Sequence, residues 1–176
     1  MASYALFHIV TVFPLSWILL YSHQSVSEFL SVQLLGAVLA ATAMPVSGWA
    51  ADRIGRRSML GTLALLIAAF GMLAPSLLDG GTLGQDAFIL IGFTLLGLSY
   101  GQSAGAVTAN FQPHFRYTGA ALTADLAWLV GAAFAPLAAL GLSAHFGLAA
   151  VGFYLLSGSV CTLLALHANK TMYSGG

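Results

Sequence analysis

The stretch Gly48–Arg57, GWAADRIGRR, gathers three of the chain's five basic residues and one of its five acidic ones into a single short knot. Apolar runs flank it on both sides, VQLLGAVLAATAMPVS (Val32–Ser47) before and MLGTLALLIAAFGMLAP (Met59–Pro75) after. A soluble fold spreads charge over its whole surface. A chain that confines charge to a knot between greasy segments has lipid, not water, for most of its solvent.

Composition agrees. Of 176 residues, 59% are hydrophobic and only 6% charged, where a soluble domain carries roughly a quarter charged. The chain reads as an integral membrane protein. Its formal net charge of zero excludes the basic footprint of a nucleic-acid binder. Its single cysteine, Cys161, excludes an intrachain disulfide, and no metal-ligand spacing exists. Neither metal nor cofactor is expected.

About 20 apolar residues cross a bilayer as a helix, the form that satisfies every backbone polar group internally. Charge, Gly and Asn punctuation predicts six such spans, at 4–21, 29–51, 58–78, 87–109, 118–142 and 146–167. The first is longer than a signal-peptide core, follows no basic residue and precedes no small-x-small cleavage site, so it reads as a retained span. The connections are short, and no segment offers a soluble domain. The fold class is therefore all-α, one six-helix transmembrane domain.

Arg53, Arg56 and Arg57 fall in the second connection, Arg116 in the fourth and Lys170 in the tail. Six crossings put all five on the side of the N-terminus and none on the other. Lysine and arginine resist translocation, so both termini are expected in the cytoplasm.

Pro14, Pro45, Pro75 and Pro136 lie inside spans. A bundle tolerates them as kinks because neighbours re-satisfy the freed carbonyls, and proline alone does not separate a packed kink from a hinge. Gly97, Gly101 and Gly105 recur every fourth residue, a face where a neighbouring backbone can approach closely. GQSAG (Gly101–Gly105) matches a serine-hydrolase pattern, but that motif needs a strand-to-helix elbow and here lies in an apolar helix. No enzyme is expected.

Within the knot, Gly55 permits a tight reversal and the arginines suit anionic headgroups. Asp52 needs a partner, either a helix N-terminus or an arginine.

Gly48, Asp52, Arg53, Gly55, Arg56 and Arg57 resemble, at every defining position, the signature loop of the major facilitator superfamily. FRYTGAALTADLAWLVGAAFAPLAA (Phe115–Ala139) is similar to the penultimate helix of its metabolite:proton symporters, through Arg116, Tyr117, Thr118, Gly119, Gly131 and Pro136. The resemblance implies the C-terminal six-helix half of such a carrier, built as two inverted three-helix repeats. It implies a small-metabolite substrate, a carboxylate or zwitterion moved with protons, and a bacterial inner-membrane location. It also implies that Asp52 faces a helix start in the opposite half and latches the cytoplasmic side. Since six further spans are missing, the chain reads as a fragment, a truncated product, or a half-size protein. A half-size protein would pair with a second copy or with a separately encoded N-terminal half.

In the family, spans one, two, four and five of this half face the cavity. Here they hold His8, Gln33, Tyr100, Gln102, Asn110 and Asp125. Asp125 is the one acid well inside a span, and an isolated carboxylate there must be protonated, paired or wet. It is the candidate proton- or substrate-coupling group, with His8 at similar depth as a relay partner. Gln33, Tyr100, Gln102 and Asn110 are candidate cavity lining.

Overall fold

The computed structural model describes residues 2–21, 25–108, 111–131 and 135–168, with side chains at all of these but 21, 103–108, 130, 131 and 135–138. Every described element is helical. They are α1 (Ala2–Thr11), α2 (Phe13–Tyr21), α3 (Val26–Ile54), α4 (Arg56–Asp79), α5 (Gly81–Thr108), a 3-10 turn at Pro113–Phe115, α6 (Arg116–Gly131), α7 (Ala135–Phe146) and α8 (Ala149–Ala168). Five stretches are long and apolar enough to cross a bilayer: Ala2–Leu20, Val26–Ile54, Arg56–Asp79, Gly81–Gln102 and Ala149–Ala168. The region expected as a fifth span carries α6 and α7, of 16 and 12 residues; residues 132–134 between them lie outside the described ones.

The connections are tighter than the residue types suggest. α3 opens at Val26, not Phe29, because Ser25 caps it: Ser25 Oγ accepts the Glu28 N–H at 3.3 Å, the S-x-x-E capping signal. At its other end α3 runs through Asp52, Arg53 and Ile54, so the expected loop DRIGRR shrinks to Gly55 alone. Gly55 has φ +86°, a left-handed value that a side chain disfavours.

DGGTLGQD likewise contributes only Gly80 to its connection, and α5 starts at Gly81. The buried Gln85 donates Nε2–H to the Leu78 carbonyl at 3.2 Å, satisfying one of the carbonyls a helix end leaves orphaned. α7 absorbs Ser143–His145, and the reversal falls at Gly147, φ +74°, whose N–H bonds the Ser143 carbonyl at 3.0 Å.

The first membrane segment breaks between α1 and α2 at Val12. Pro14 has no N–H for the carbonyl four residues back, and the α3 side chain of Gln33 reaches across to the Thr11 carbonyl at 2.7 Å.

Contacts fix the helix directions. Gly36 meets Phe93, Ala40 meets Gly97 and Met44 meets Gly101, so α3 and α5 run parallel. α1 opposes α5, with Val10 at Gly92 and Tyr4 at Tyr100. α1 also opposes α8: Ala5 meets Gly158, and the Ala2 N–H bonds Thr162 Oγ1 at 3.1 Å. The start of α1, the junction of α3 and α4, and the ends of α5 and α8 therefore share one end of the bundle. Arg53, Arg56 and Arg57 stand there, whereas Glu28, Asp79 and Asp86 stand at the other.

Leu6, Ile9, Val10, Phe13, Phe70, Phe88 and Leu155 fill the core, with Phe70 and Phe88 stacked at 5.0 Å. Outward, Leu34, Val38, Leu65, Met72, Val160 and Leu164 are exposed. Such a surface would aggregate in water and is at home in lipid.

Candidate functional site

At the basic end, the knot is a helix–glycine–helix corner. Asp52 and Arg53 are exposed in the last turn of α3; Arg56 is exposed and Arg57 half-buried in the first turn of α4. Arg53 lies over the Trp49 ring, its guanidinium carbon 4.2 Å from the centroid, a cation–π contact. The half-buried Gly48 has open space around its Cα.

Arg53, in the last turn of α3, suits the helix dipole, but the corner's other three charges oppose it. A helix C-terminus disfavours an acid and an N-terminus disfavours a base, yet Asp52 ends α3 while Arg56 and Arg57 begin α4. No hydrogen bond or ion pair joins Asp52 to another described residue.

Deeper in the bundle, α1, α5 and α6 bring five rings together. Trp128 is ringed edge-on by Tyr4 (centroids 5.5 Å), Phe7 (5.2 Å) and His8 (5.7 Å), and Tyr4 reaches Tyr100 at 5.9 Å. All five are half-buried. His8 Nδ1 is buried, with no hydrogen-bond partner among the described residues. Asp125 sits three residues before Trp128 on α6, hence beside it on the helix surface, and is exposed. No hydrogen bond or ion pair joins His8 to Asp125.

The remaining polar candidates separate. Gln33 is tied to the Thr11 carbonyl. Gln102 is buried and donates to Ser47 Oγ at 3.0 Å, while Ser47 in turn donates to the Leu98 carbonyl, so this relay stitches α3 to α5. Asn110 lies outside the described residues. Gly97 and Gly101 lie against the α3 backbone at Ala40 and Met44; Gly105 continues α5, its surroundings outside the described side chains.

Sequence reasoning singled out His8, Tyr100 and Asp125 but missed Tyr4, Phe7 and Trp128. Trp128 had one readable signal, its i+3 spacing from Asp125. The packing of α1 on it, and of α5 on α1 through Tyr100 and Tyr4, is tertiary and has no mark in any one segment.

No protein-family model and no solved structure matches the chain. Curated relatives do. A putative metabolite transport protein of Haemophilus influenzae is 32% identical over 96% of this chain and 41% of its own length. The inner membrane metabolite transport protein YhjE of Escherichia coli is 33% identical over 94% of this chain and 39% of its own. A citrate-proton symporter of Klebsiella pneumoniae is 31% identical over 90% and 36%. The chain spans about two fifths of the length of the curated relatives it matches. It is an integral membrane protein related, along nearly its whole length, to transport proteins and not to enzymes, which bears out the resemblance to metabolite:proton symporters.

Proposed function

We propose that this chain is one six-helix half of a proton-coupled carrier for a small metabolite, a carboxylate or a zwitterion, in a bacterial inner membrane. The observation that carries the reading is its near full-length kinship with metabolite transport proteins over about two fifths of their length. The whole carrier has two such halves; the second is another copy of this chain, a complementary six-helix chain, or the remainder of a longer chain of which this is a fragment. The cavity then forms between the halves and opens alternately to each side.

Both termini and the arginine end face the cytoplasm in this reading, because lysine and arginine stay inside. The charge pattern supports it, with Arg53, Arg56 and Arg57 at one end and Glu28, Asp79 and Asp86 at the other. Asp52 latches the cytoplasmic side by meeting a helix start in the second half, where an acid is favoured. Asp125 and His8 are the groups that exchange protons with the cavity. The coverage of only two fifths also favours a narrower reading, in which the chain is a subunit or fragment that moves nothing unaided.

The test is uptake into proteoliposomes under an imposed proton gradient, using labelled citrate, shikimate and a panel of zwitterions. Gradient-dependent uptake that Asp125→Asn abolishes is the expected result. Uptake indifferent to collapse of the gradient would refute the coupling.

A further inference from the structure

We infer that the outer face of α6 is covered by a transmembrane helix of the second half, and that this helix carries a lysine or arginine opposite Asp125. The inference rests on the two-half reading above and names what Asp125 meets in it. Along α6, Thr118, Ala121, Leu122, Asp125, Leu126 and Leu129 are exposed, a spacing of three and four that makes one continuous stripe. The other side of the helix is turned into the bundle. A Cβ on Gly119 would strike the Phe111 ring, and Trp128 lies edge-on against Tyr4, Phe7 and His8. α6 thus points its small residues and its tryptophan inward and its leucines outward.

Lipid, water or protein could cover such a stripe. Lipid suits the leucines, but a carboxylate is costly at that depth. Asp125 stands about 13 Å beyond Arg116 along the axis. Water suits the carboxylate but not Leu122 and Leu129, its neighbours one turn to either side. A packed helix with one cation suits both, because it buries the leucines and pairs the acid.

Neither this chain nor a copy of it has that cation to give. Its lysine and arginines stand at 53, 56, 57, 116 and 170. The first three lie at the α3–α4 corner, Arg116 opens α6 and Lys170 follows the end of α8. A second copy in the same orientation would bring its bases to that same level, far short of Asp125. His8 does lie deeper, but its ring is already packed edge-on against Phe7 and Trp128. The occupant is therefore a half of different sequence, whether a complementary chain or the remainder of a longer one. While the pair holds, Asp125 is sealed; when the halves part, it meets the protons of the cavity.

The test uses the carrier as extracted from its membrane into nanodiscs, with Cys161→Ser and a spin label at Leu122→Cys or Leu129→Cys. A label at Leu164→Cys, on the exposed side of α8, is the lipid-facing control. Labels at 122 and 129 should be immobilised and shielded from both oxygen and a water-soluble nickel chelate, while the control stays open to oxygen. Asp125→Lys sets like charges face to face and should abolish the shielding, whereas Asp125→Glu should keep it. Where Asp125→Lys does not accumulate, Asp125→Asn is read in its place and should loosen the shielding. Oxygen access equal to the control puts lipid on this face, and access to the nickel chelate puts water there; either overturns the inference. Shielding that survives every change at Asp125 removes the cation. Spin–spin coupling between two labels in one particle makes the occupant a second copy, which overturns the inference and leaves the two-half reading intact. The particle's mass, read on the same sample, tells a failure of this contact from a failure of that reading.

Discussion

Gln33 on α3 donates its side-chain amide to the Thr11 carbonyl at 2.7 Å, where the first membrane segment breaks ahead of Pro14. In lipid no water replaces that donor. Gln33→Leu keeps the volume roughly constant and strands the carbonyl, so a loss of about 1–2 kcal/mol is expected. Thermal unfolding in nanodiscs measures it, and a Leu variant as stable as the parent would mean the break holds without this bond.

Gly97 and Gly101 let α5 lie directly on the backbone of α3. A Cβ at Gly97 would overlap the Ala40 carbonyl oxygen and come within 2.7 Å of its Cα. Since backbone cannot swing aside, Gly97→Ala should cost roughly 1–3 kcal/mol. Gly48→Ala, with nothing within 4 Å, is the matched control and should not destabilise.

Gly55 and Gly61 lie six positions apart, both with open space around them, and should respond with opposite sign. Gly55 holds φ +86°, so Gly55→Ala carries backbone strain of about 1–2 kcal/mol. Gly61 is inside α4, where alanine is favoured by about 0.5–1 kcal/mol. Unfolding midpoints that move in the same direction for the two variants would contradict this account of the corner.

Asp52→Asn separates stability from function. The acid sits unfavourably at the C-terminal end of α3, so its neutralisation should leave the isolated chain as stable as before or slightly more so. In the assembled carrier the same change is expected to release the proposed latch and so raise labelling of cysteines introduced along the cytoplasmic half of the cavity. Labelling identical to the parent would remove Asp52 from the gate.

Much of this fold was legible in advance because lipid forces helices and the punctuation is strong. The helix boundaries were less so. DRIGRR and DGGTLGQD look like loops by residue type, yet a single glycine suffices at each turn when charged and polar residues can extend past the membrane on helices. The Ser25–Glu28 capping signal lies within SHQSVSE, where the run of polar residues has the composition of a loop. At the site, Asp125 announces itself as an acid among apolar neighbours, whereas Trp128 looks like any aromatic of an apolar run until α1 is placed beside it. Gln33 and Gln102 have the composition of cavity lining but make bonds that hold kinks and helix pairs.

The central claim is that this chain works as one of two six-helix halves, and the most direct test is the native mass of the particle it forms when extracted from its membrane into nanodiscs. The account predicts a particle of two halves: twice the 18.2 kDa of one chain, or one chain with a six-helix partner of similar size. A particle containing one copy of this chain and nothing else would contradict it.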